Sequence, residues 1–183
     1  PALGRAAGPC TPGAACSNAM MSEPIFIFAG GGTGGHLYPG LAVAAEVMAL
    51  RPDARIVFAC SGRAVDRKIL DPLAYAVVPQ PVLPIPRSIS PRAWLAFWRA
   101  WRRSAAQAAD MLRDLRPAAV LGLGGFAAGP VVRQAARAGV RSALLNPDAV
   151  PGKANQYLAR KASAIFTQFG STAGQFPSAL RGR

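Results

Sequence analysis

A run of glycines between an apolar segment and a helical pattern is the feature that most restricts the fold of this chain. Gly30-Gly31-Gly32-Thr33-Gly34-Gly35-His36 follows the strand-like stretch Ile25-Phe26-Ile27-Phe28-Ala29, and a predicted helix begins near Pro39. Backbone N–H groups without side chains beside them can close around an anion, and the N-terminus of the next helix adds partial positive charge. The pattern therefore predicts a phosphate-binding turn, with His36, the only histidine of the chain, at its mouth.

The same glycines fit a dinucleotide-binding fingerprint, because Gly30, Gly32 and Gly35 have its spacing. An NAD site also needs an acidic residue about twenty positions later, at the end of the second strand, to hold the ribose hydroxyls. Here the second strand runs into Cys60-Ser61-Gly62-Arg63, which contains no carboxylate. NAD is therefore disfavoured, whereas an NADP-dependent oxidoreductase that uses Arg63 for the extra phosphate stays as an alternative.

Short β-rich runs alternate with longer helical runs from Ile25 onward, which is typical of a parallel sheet with crossover helices. The predicted strands are Ile25 to Ala29, Arg55 to Ala59, Ala74 to Val78, Ala118 to Leu121, Ser142 to Leu145 and Ser163 to Thr167. The predicted helices are Pro39 to Leu50, Ala64 to Leu70, Pro91 to Leu115, Gly129 to Ala138 and Lys153 to Arg160. Prolines between Pro79 and Pro86 predict an extended, irregular connector before the third helix. The predicted fold class is a Rossmann-like α/β domain.

The composition indicates one folded domain with a polyanionic partner. The chain has 183 residues, of which 51% are hydrophobic, and this is enough for one good core. Its 21 Lys and Arg residues against 8 Asp and Glu residues give a net charge of +13, which favours nucleic acid, anionic lipid or a phosphorylated substrate. No apolar stretch reaches the roughly 18 residues of a membrane span, so only peripheral membrane contact is expected.

The first 22 residues are rich in Gly, Ala and Pro and lack the apolar run of a signal peptide. We interpret them as disordered or upstream sequence, with Met20 or Met21 as the natural start. Cys10 and Cys16 lie in this segment and Cys60 stands alone, so the sequence predicts neither a disulfide framework nor a metal site. A cytosolic compartment is expected.

Three motifs in order carry a resemblance to a known family. The first glycine run is followed by Pro39-Gly40-Leu41-Ala42, a second run reads Val120-Leu121-Gly122-Leu123-Gly124-Gly125-Phe126 with Gly129-Pro130, and the third motif is Gly152-Lys153-Ala154-Asn155-Gln156-Tyr157-Leu158-Ala159. From about Pro24 to its C-terminus the chain resembles the MurG family, the inverting peptidoglycan transferases that move N-acetylglucosamine from UDP onto lipid I.

The resemblance implies the N-terminal, acceptor-binding half of a GT-B glycosyltransferase in peptidoglycan synthesis, and hence in cell-wall biogenesis and cell shape. It implies an acceptor domain over residues 23–170, followed at 171–183 by the start of a connection to a C-terminal domain that binds UDP-GlcNAc. The implied partners are UDP-GlcNAc, the lipid-linked muramyl-pentapeptide diphosphate and an anionic membrane surface, with no nucleic acid, cofactor or metal. The implied location is the cytoplasmic face of the bacterial inner membrane. A noncatalytic lipid-diphosphate or membrane-binding module stays as an alternative from another class.

Transfer to an acceptor hydroxyl needs a base, and an imidazole with a pKa of about 6.5 suits that task. His36 is one candidate, and it can equally hydrogen-bond phosphate. At Leu145-Asn146-Pro147-Asp148 the family usually reads His-Glu-Gln-Asn, so Asp148 is the second catalytic candidate, because Asn146 cannot be a base. Phe126 stands where the family usually has tyrosine. The expected substrate-binding residues are Gly31, Gly32, Thr33, Gly34, Gly35, Gly124, Gly125, Phe126, Asn146 and Asn155.

Tryptophans and arginines are interleaved along the third predicted helix. Such a pattern suits the headgroup boundary of an anionic membrane, although an apolar stripe can also be the core face of a crossover helix. We expect part of the stripe to pack on the sheet and the N-terminal turns to contact lipid. The membrane candidates are Trp94, Phe97, Trp98, Arg99, Trp101 and Arg102.

Overall fold

Strands and helices alternate along the part of the chain that the structure, a computed structural model, describes: residues 23–87 and 89–176. The strands are β1 Ile25–Gly30, β2 Arg55–Cys60, β3 Ala76–Pro79, β4 Ala119–Gly124, β5 Ser142–Asn146 and β6 Ala164–Thr167. The helices are α1 Gly34–Leu50, α2 Ala64–Leu70, α3 Pro91–Leu115, α4 Gly125–Arg137, α5 Lys153–Ala159 and α6 Gly170–Ala173. The predicted α/β alternation is confirmed, and the expectations for residues 1–22, with Cys10 and Cys16, lie outside the described residues.

All strand pairs are parallel, in the order β3-β2-β1-β4-β5-β6. Strands β2 and β3 are added on one side of β1, and β4, β5 and β6 are added on the other side. This reversal makes the carboxyl ends of β1 and β4 a topological switch point, where open α/β sheets bind ligands. The order confirms the Rossmann-like prediction.

Each face of the sheet is covered by its own apolar core, so successive strand residues alternate between the two cores. In β1, Ile27 and Ala29 pack into the core that contains residues of α3, α4 and α5, whereas Phe28 packs into the core that contains Leu37 of α1. A strand buried on both faces needs an almost continuous apolar run, which β1 and β2 have. Burial of one such side chain contributes about 1.5–3 kcal/mol.

Two helices begin earlier than predicted. Helix α1 begins at Gly34 instead of Pro39, and α4 begins at Gly125 instead of Gly129, so Pro39 and Pro130 lie inside the helices. Proline favours a first helical position, and this preference placed the predicted starts too late. The tight turns after β1 and β4 determine the true starts, at the expense of one intrahelical hydrogen bond at each proline.

The connector after β3 is neither helix nor strand at residues 81–87 and 89–90, as predicted. Its first residues are fixed on α3: Ser104 Oγ donates to Gln80 Oε1 across 2.8 Å, and Gln107 Nε2 donates to the Pro79 carbonyl across 3.0 Å. Among the described residues, no helix combines the length and apolar character needed to cross a bilayer.

The chain beyond β6 continues to pack on the domain. Thr172 Oγ1, in the unpredicted helix α6, donates to the Ala149 carbonyl across 2.9 Å, and Phe176 is buried in the core beside α3, α4 and α5. The described chain therefore stays packed on the domain through Phe176.

Candidate functional site

The two glycine turns that follow β1 and β4 lie against each other at the switch point. Gly30 pairs with Gly124 in the sheet register. Gly125, with φ of +72°, approaches the first turn so closely that a Cβ atom on it would lie 2.9 Å from the Gly31 carbonyl oxygen. The predicted position of the second turn opposite the first is confirmed.

Helices α1 and α4 both begin at this junction. Their N-cap residues are Thr33 and Gly124, and neither provides a side-chain hydrogen bond to the first helical turn. The first N–H groups of a helix have no intrahelical acceptor, and they carry the positive end of the helix dipole. A Cβ atom on Gly35 would meet nothing within 4 Å, so the space beside the α1 N-terminus is open. Two helix N-termini without side-chain caps therefore lie at one junction.

The first turn is held by a carboxylate that the sequence analysis did not select. Asp66 of α2 is fully buried and accepts hydrogen bonds from Gly32 N–H across 2.7 Å, from Ser61 N–H across 3.1 Å and from the Ser61 hydroxyl. Gly32 N–H was expected to face a ligand phosphate; the structure gives it an internal acceptor instead. The only signal for Asp66 was an acidic residue in the first turn of α2, shortly after the second strand.

Two further side chains contact Gly32. The Arg63 guanidinium donates to the Gly32 carbonyl across 3.2 Å, and the Phe126 ring lies where a Cβ on Gly32 would be 3.2 Å from its Cε1 atom. Arg63, considered above for an NADP phosphate, is thus used within the turn. Phe126, in the first turn of α4, joins the two turns by apolar contact.

The His36 ring lies against the second glycine turn. A Cβ atom on Gly124 would be 3.2 Å from both Cε1 and Nδ1 of His36, and Nδ1 is buried without a hydrogen-bond partner in the described part of the chain. Burying a polar atom without a partner is costly, which makes Nδ1 a candidate for contact with a ligand. The structure thus brings His36 into the junction, as expected.

Asn155 and Asn146 form a buried pair beside His36. Asn155 Nδ2 donates to Asn146 Oδ1 across 2.9 Å, and Asn146 Nδ2 donates to the Asp148 carbonyl across 2.6 Å. Asn155 Oδ1 is buried without a partner among the described residues, and a Cβ atom on Gly124 would be 3.3 Å from it. Both unpartnered atoms therefore face Gly124. Asp148 joins this network through its backbone, while its side chain is exposed.

Cys60 ends β2 next to Ser61 and is buried. Burial raises the pKa of its thiol above the ordinary value. The thiolate fraction at neutral pH is therefore small, which excludes Cys60 as a ready nucleophile.

The membrane candidates on α3 divide into two groups. Phe97 is only 8% exposed, and the Trp101 ring packs on α4, where a Cβ on Gly129 would lie 2.9 Å from it. These two rings face protein, so the expectation that they contact lipid is corrected. Trp94 and Trp98 are 36% and 52% exposed. Arg99 and Arg102 are exposed as well.

The chain also matches a family model. Residues 26–167 match the glycosyltransferase family 28 N-terminal domain. The chain belongs to this family. Because the family consists of glycosyltransferases, the oxidoreductase alternative loses its support.

The chain is similar to curated proteins from several bacteria, and these proteins share one name. The chain is 36% identical over 155 residues to the UDP-N-acetylglucosamine--N-acetylmuramyl-(pentapeptide) pyrophosphoryl-undecaprenol N-acetylglucosamine transferase of Desulforudis audaxviator, covering 85% of this chain and 41% of that protein. It is 35% identical to the enzyme of the same name from Syntrophus aciditrophicus, covering 85% of this chain and 42% of that protein. The chain thus spans about two fifths of the length of these relatives.

Solved structures show the same fold. MurG of Acinetobacter baumannii matches with a TM-score of 0.70 at 22% identity, covering 86% of this chain and 44% of that chain. The UDP-GlcNAc 2-epimerase of Neisseria meningitidis matches with a TM-score of 0.55 at 13% identity, over the same shares of the two chains. The family 28 domain therefore has one half of a fold that several nucleotide-sugar enzymes share.

Proposed function

We propose that this domain binds the acceptor in a glycosyltransferase that moves N-acetylglucosamine from UDP-GlcNAc onto a lipid-linked muramyl-pentapeptide diphosphate. The observation that carries the proposal is the junction at Gly124, where two helix N-termini meet beside two buried polar atoms without partners, His36 Nδ1 and Asn155 Oδ1. The names of the relatives support the choice of substrates. UDP-GlcNAc binds mainly to a C-terminal domain outside these 183 residues.

The acceptor diphosphate binds to the first N–H groups of α1 and α4. Helix N-termini suit phosphate because their donors are unsatisfied and their dipoles are positive. Asn155 Oδ1, held in place by its bond to Asn146, accepts a hydrogen bond from the sugar or the peptide. The open space beside Gly35 admits the phosphate.

His36 serves as the general base. A neutral imidazole with its proton on Nε2 leaves Nδ1 as an acceptor, and Nδ1 is the atom without a partner. The acceptor hydroxyl gives its proton to His36 while its oxygen bonds to the anomeric carbon of the donor sugar. The bond from that carbon to UDP breaks with its electron pair on UDP, which inverts the anomeric centre. Asp148, exposed at the rim, is the alternative base.

The N-terminal part of α3 and the connector contact the membrane. Both are rich in exposed apolar side chains: Leu83, Ile85, Ile89, Trp94, Leu95 and Trp98. Exposed Arg99 and Arg102 lie beside them, and the whole chain carries +13 net charge. Apolar side chains flanked by arginines suit an anionic bilayer surface. We place the protein peripherally at the cytoplasmic face of the bacterial inner membrane, where the lipid tail of the acceptor is anchored.

Binding to the isolated 183-residue chain tests the acceptor site directly. Isothermal titration should detect a short-chain analogue of the lipid-linked muramyl-pentapeptide diphosphate, and the matched monophosphate should bind much more weakly. The same titration with NADPH should show no binding heat. Micromolar NADPH binding without acceptor binding would contradict the proposal.

A noncatalytic acceptor-binding module is the second candidate, because the fully buried Asn146 provides an amide where the resembled family has a carboxylate. A chimera separates the two. Residues 23–176 replace the matching part of the Desulforudis relative, and transfer from UDP-GlcNAc is measured. Transfer supports the enzyme; acceptor binding without transfer supports the module.

A further inference from the structure

Asp66 is a buried carboxylate with no assigned role, and it lies behind the first glycine turn. Burying a charged carboxylate is costly unless hydrogen bonds compensate, and Asp66 has three: Gly32 N–H, Ser61 N–H and the Ser61 hydroxyl. Asp66 is also in the first turn of α2, where the helix dipole favours a negative charge. The carboxylate therefore lies, fully hydrogen-bonded, directly behind the glycine turn of the proposed ligand site.

The three bonds tie the turn after β1 to the turn after β2. Gly32 has φ of +87°, a conformation that side-chain-bearing residues rarely adopt. The Gly32 N–H donates to Asp66, the Gly32 carbonyl accepts from Arg63 across 3.2 Å, and the Phe126 ring packs beside Gly32. Gly32 is thus fixed on three sides by the protein itself.

A ligand phosphate and Asp66 would compete for the same donor. The carboxylate also lies close to Gly31, where a Cβ atom would be 3.0 Å from Asp66 Oδ2, so a second anion at Gly31 or Gly32 would be repelled. Gly34 and Gly35, further along the same turn, have no carboxylate beside them. A Cβ atom on Gly34 would lie next to the Tyr38 ring, and a Cβ atom on Gly35 would meet nothing within 4 Å.

We infer that Asp66 is a positioning residue that removes the Gly32 N–H from the ligand donors and directs the diphosphate to the N-termini of α1 and α4. The inference rests on the proposed function. Asp66 acts through the shape of the turn and does not touch the substrate.

Amide NMR on the ¹⁵N-labelled chain, with inorganic pyrophosphate as probe, tests it. Pyrophosphate should shift the amide signals of Gly34, Gly35, Gly125 and Phe126 and leave that of Gly32 in place. In Asp66→Ala, which removes both acceptor oxygens, hydrogen exchange at Gly32 should rise about 10- to 100-fold, and the freed N–H should now shift with pyrophosphate. Asp71→Ala, at the exposed C-terminus of the same helix, is the matched control and should change neither readout.

Two results would overturn the inference: a Gly32 shift in the unmodified chain as large as that of Gly34, or unchanged Gly32 exchange in Asp66→Ala. If Asp66→Ala does not fold, Ser61→Ala removes one of the three bonds, and a smaller rise in Gly32 exchange is expected; no rise counts against the inference. If pyrophosphate shifts nothing, the proposed diphosphate site fails, while the exchange measurement still decides whether Asp66 holds Gly32.

Discussion

The side chains of Asn155 and Asn146 are joined by a buried hydrogen bond of 2.9 Å, which fixes the start of α5 on the end of β5. Asn155→Ala leaves the Asn146 oxygen without this donor, so we expect the free energy of unfolding to fall by about 1–3 kcal/mol. Urea denaturation measures it. Lys153→Ala, exposed in the same helical turn, should change it by less than about 0.5 kcal/mol. Equal effects of the two changes would show that the pair contributes little.

Gly124→Ala should abolish pyrophosphate and acceptor binding. The new Cβ would lie 3.2 Å from His36 and 3.3 Å from Asn155, and both side chains would have to move. The positive φ of +97° adds about 1–2 kcal/mol of strain. Gly139→Ala is the matched control, because Gly139 also has a positive φ, +71°, but nothing lies within 4 Å of its Cβ position. Titration should show binding kept in Gly139→Ala; a loss in both variants would mean that backbone strain alone is responsible.

Gly35→Ala should weaken phosphate binding without lowering the stability of the fold. Alanine is favoured over glycine in a helix by up to about 1 kcal/mol, and the added methyl would meet nothing within 4 Å. Thermal unfolding should therefore be unchanged or shifted upward. If phosphate occupies the open space, the methyl would displace it from the backbone N–H groups, and the loss of one charge-assisted hydrogen bond should raise its Kd about 10- to 100-fold. Unchanged affinity would place the anion elsewhere.

The general base can be identified in the chimeric transferase. His36→Ala should lower kcat by roughly 10²- to 10⁴-fold if the imidazole accepts the proton. Asp148→Asn should have little effect, because this side chain is exposed and Asp148 joins the buried pair only through its backbone carbonyl. If His36→Ala raises only the acceptor KM while Asp148→Asn lowers kcat, the roles are reversed. The double variant shows whether the two groups substitute for each other.

The exposed tryptophans of α3 and the buried Phe97 should respond differently to substitution by alanine. Trp94→Ala with Trp98→Ala should weaken binding to vesicles that contain anionic lipid and leave the circular dichroism spectrum unchanged, since both side chains are partly exposed. Phe97→Ala should instead destabilise the fold by about 3–5 kcal/mol, because this ring is buried. Added salt should also reduce vesicle binding, since exposed charges are screened beyond about 8–10 Å. Full vesicle binding by the double tryptophan variant would contradict a lipid contact at these rings.

Local patterns predicted most of the fold, because strand and helix periodicity depends on neighbouring residues. The sequence located all six strands of the described residues, with most ends correct to within one residue. The exceptions are β3, which begins at Ala76 instead of Ala74, and β4, which continues to Gly124 instead of ending at Leu121. Periodicity alone does not determine which side of a long amphipathic helix meets the protein. Phe97 and Trp101 were therefore grouped with Trp94 and Trp98, although they pack inward.

The site was predicted where it depends on glycine turns and missed where it depends on tertiary contacts. His36, Asn146 and Asn155 come together at Gly124 as the motifs indicated. Asp66 was missed because one of its two partner residues, Gly32, is distant in the sequence, and no local pattern shows that a carboxylate folds back onto it.

The sheet order also determines when this site can form during synthesis. Gly30 and Gly124 are neighbours in the sheet, yet α1, β2, α2, β3 and α3 lie between them in the chain. Closing so long a loop is entropically costly and slows folding, because the non-local pairing comes only after it. A nascent chain that ends before α4 has one helix N-terminus and no second donor set. Phosphate binding is therefore a property that the growing polypeptide acquires late, and it reports that β1 and β4 have paired correctly.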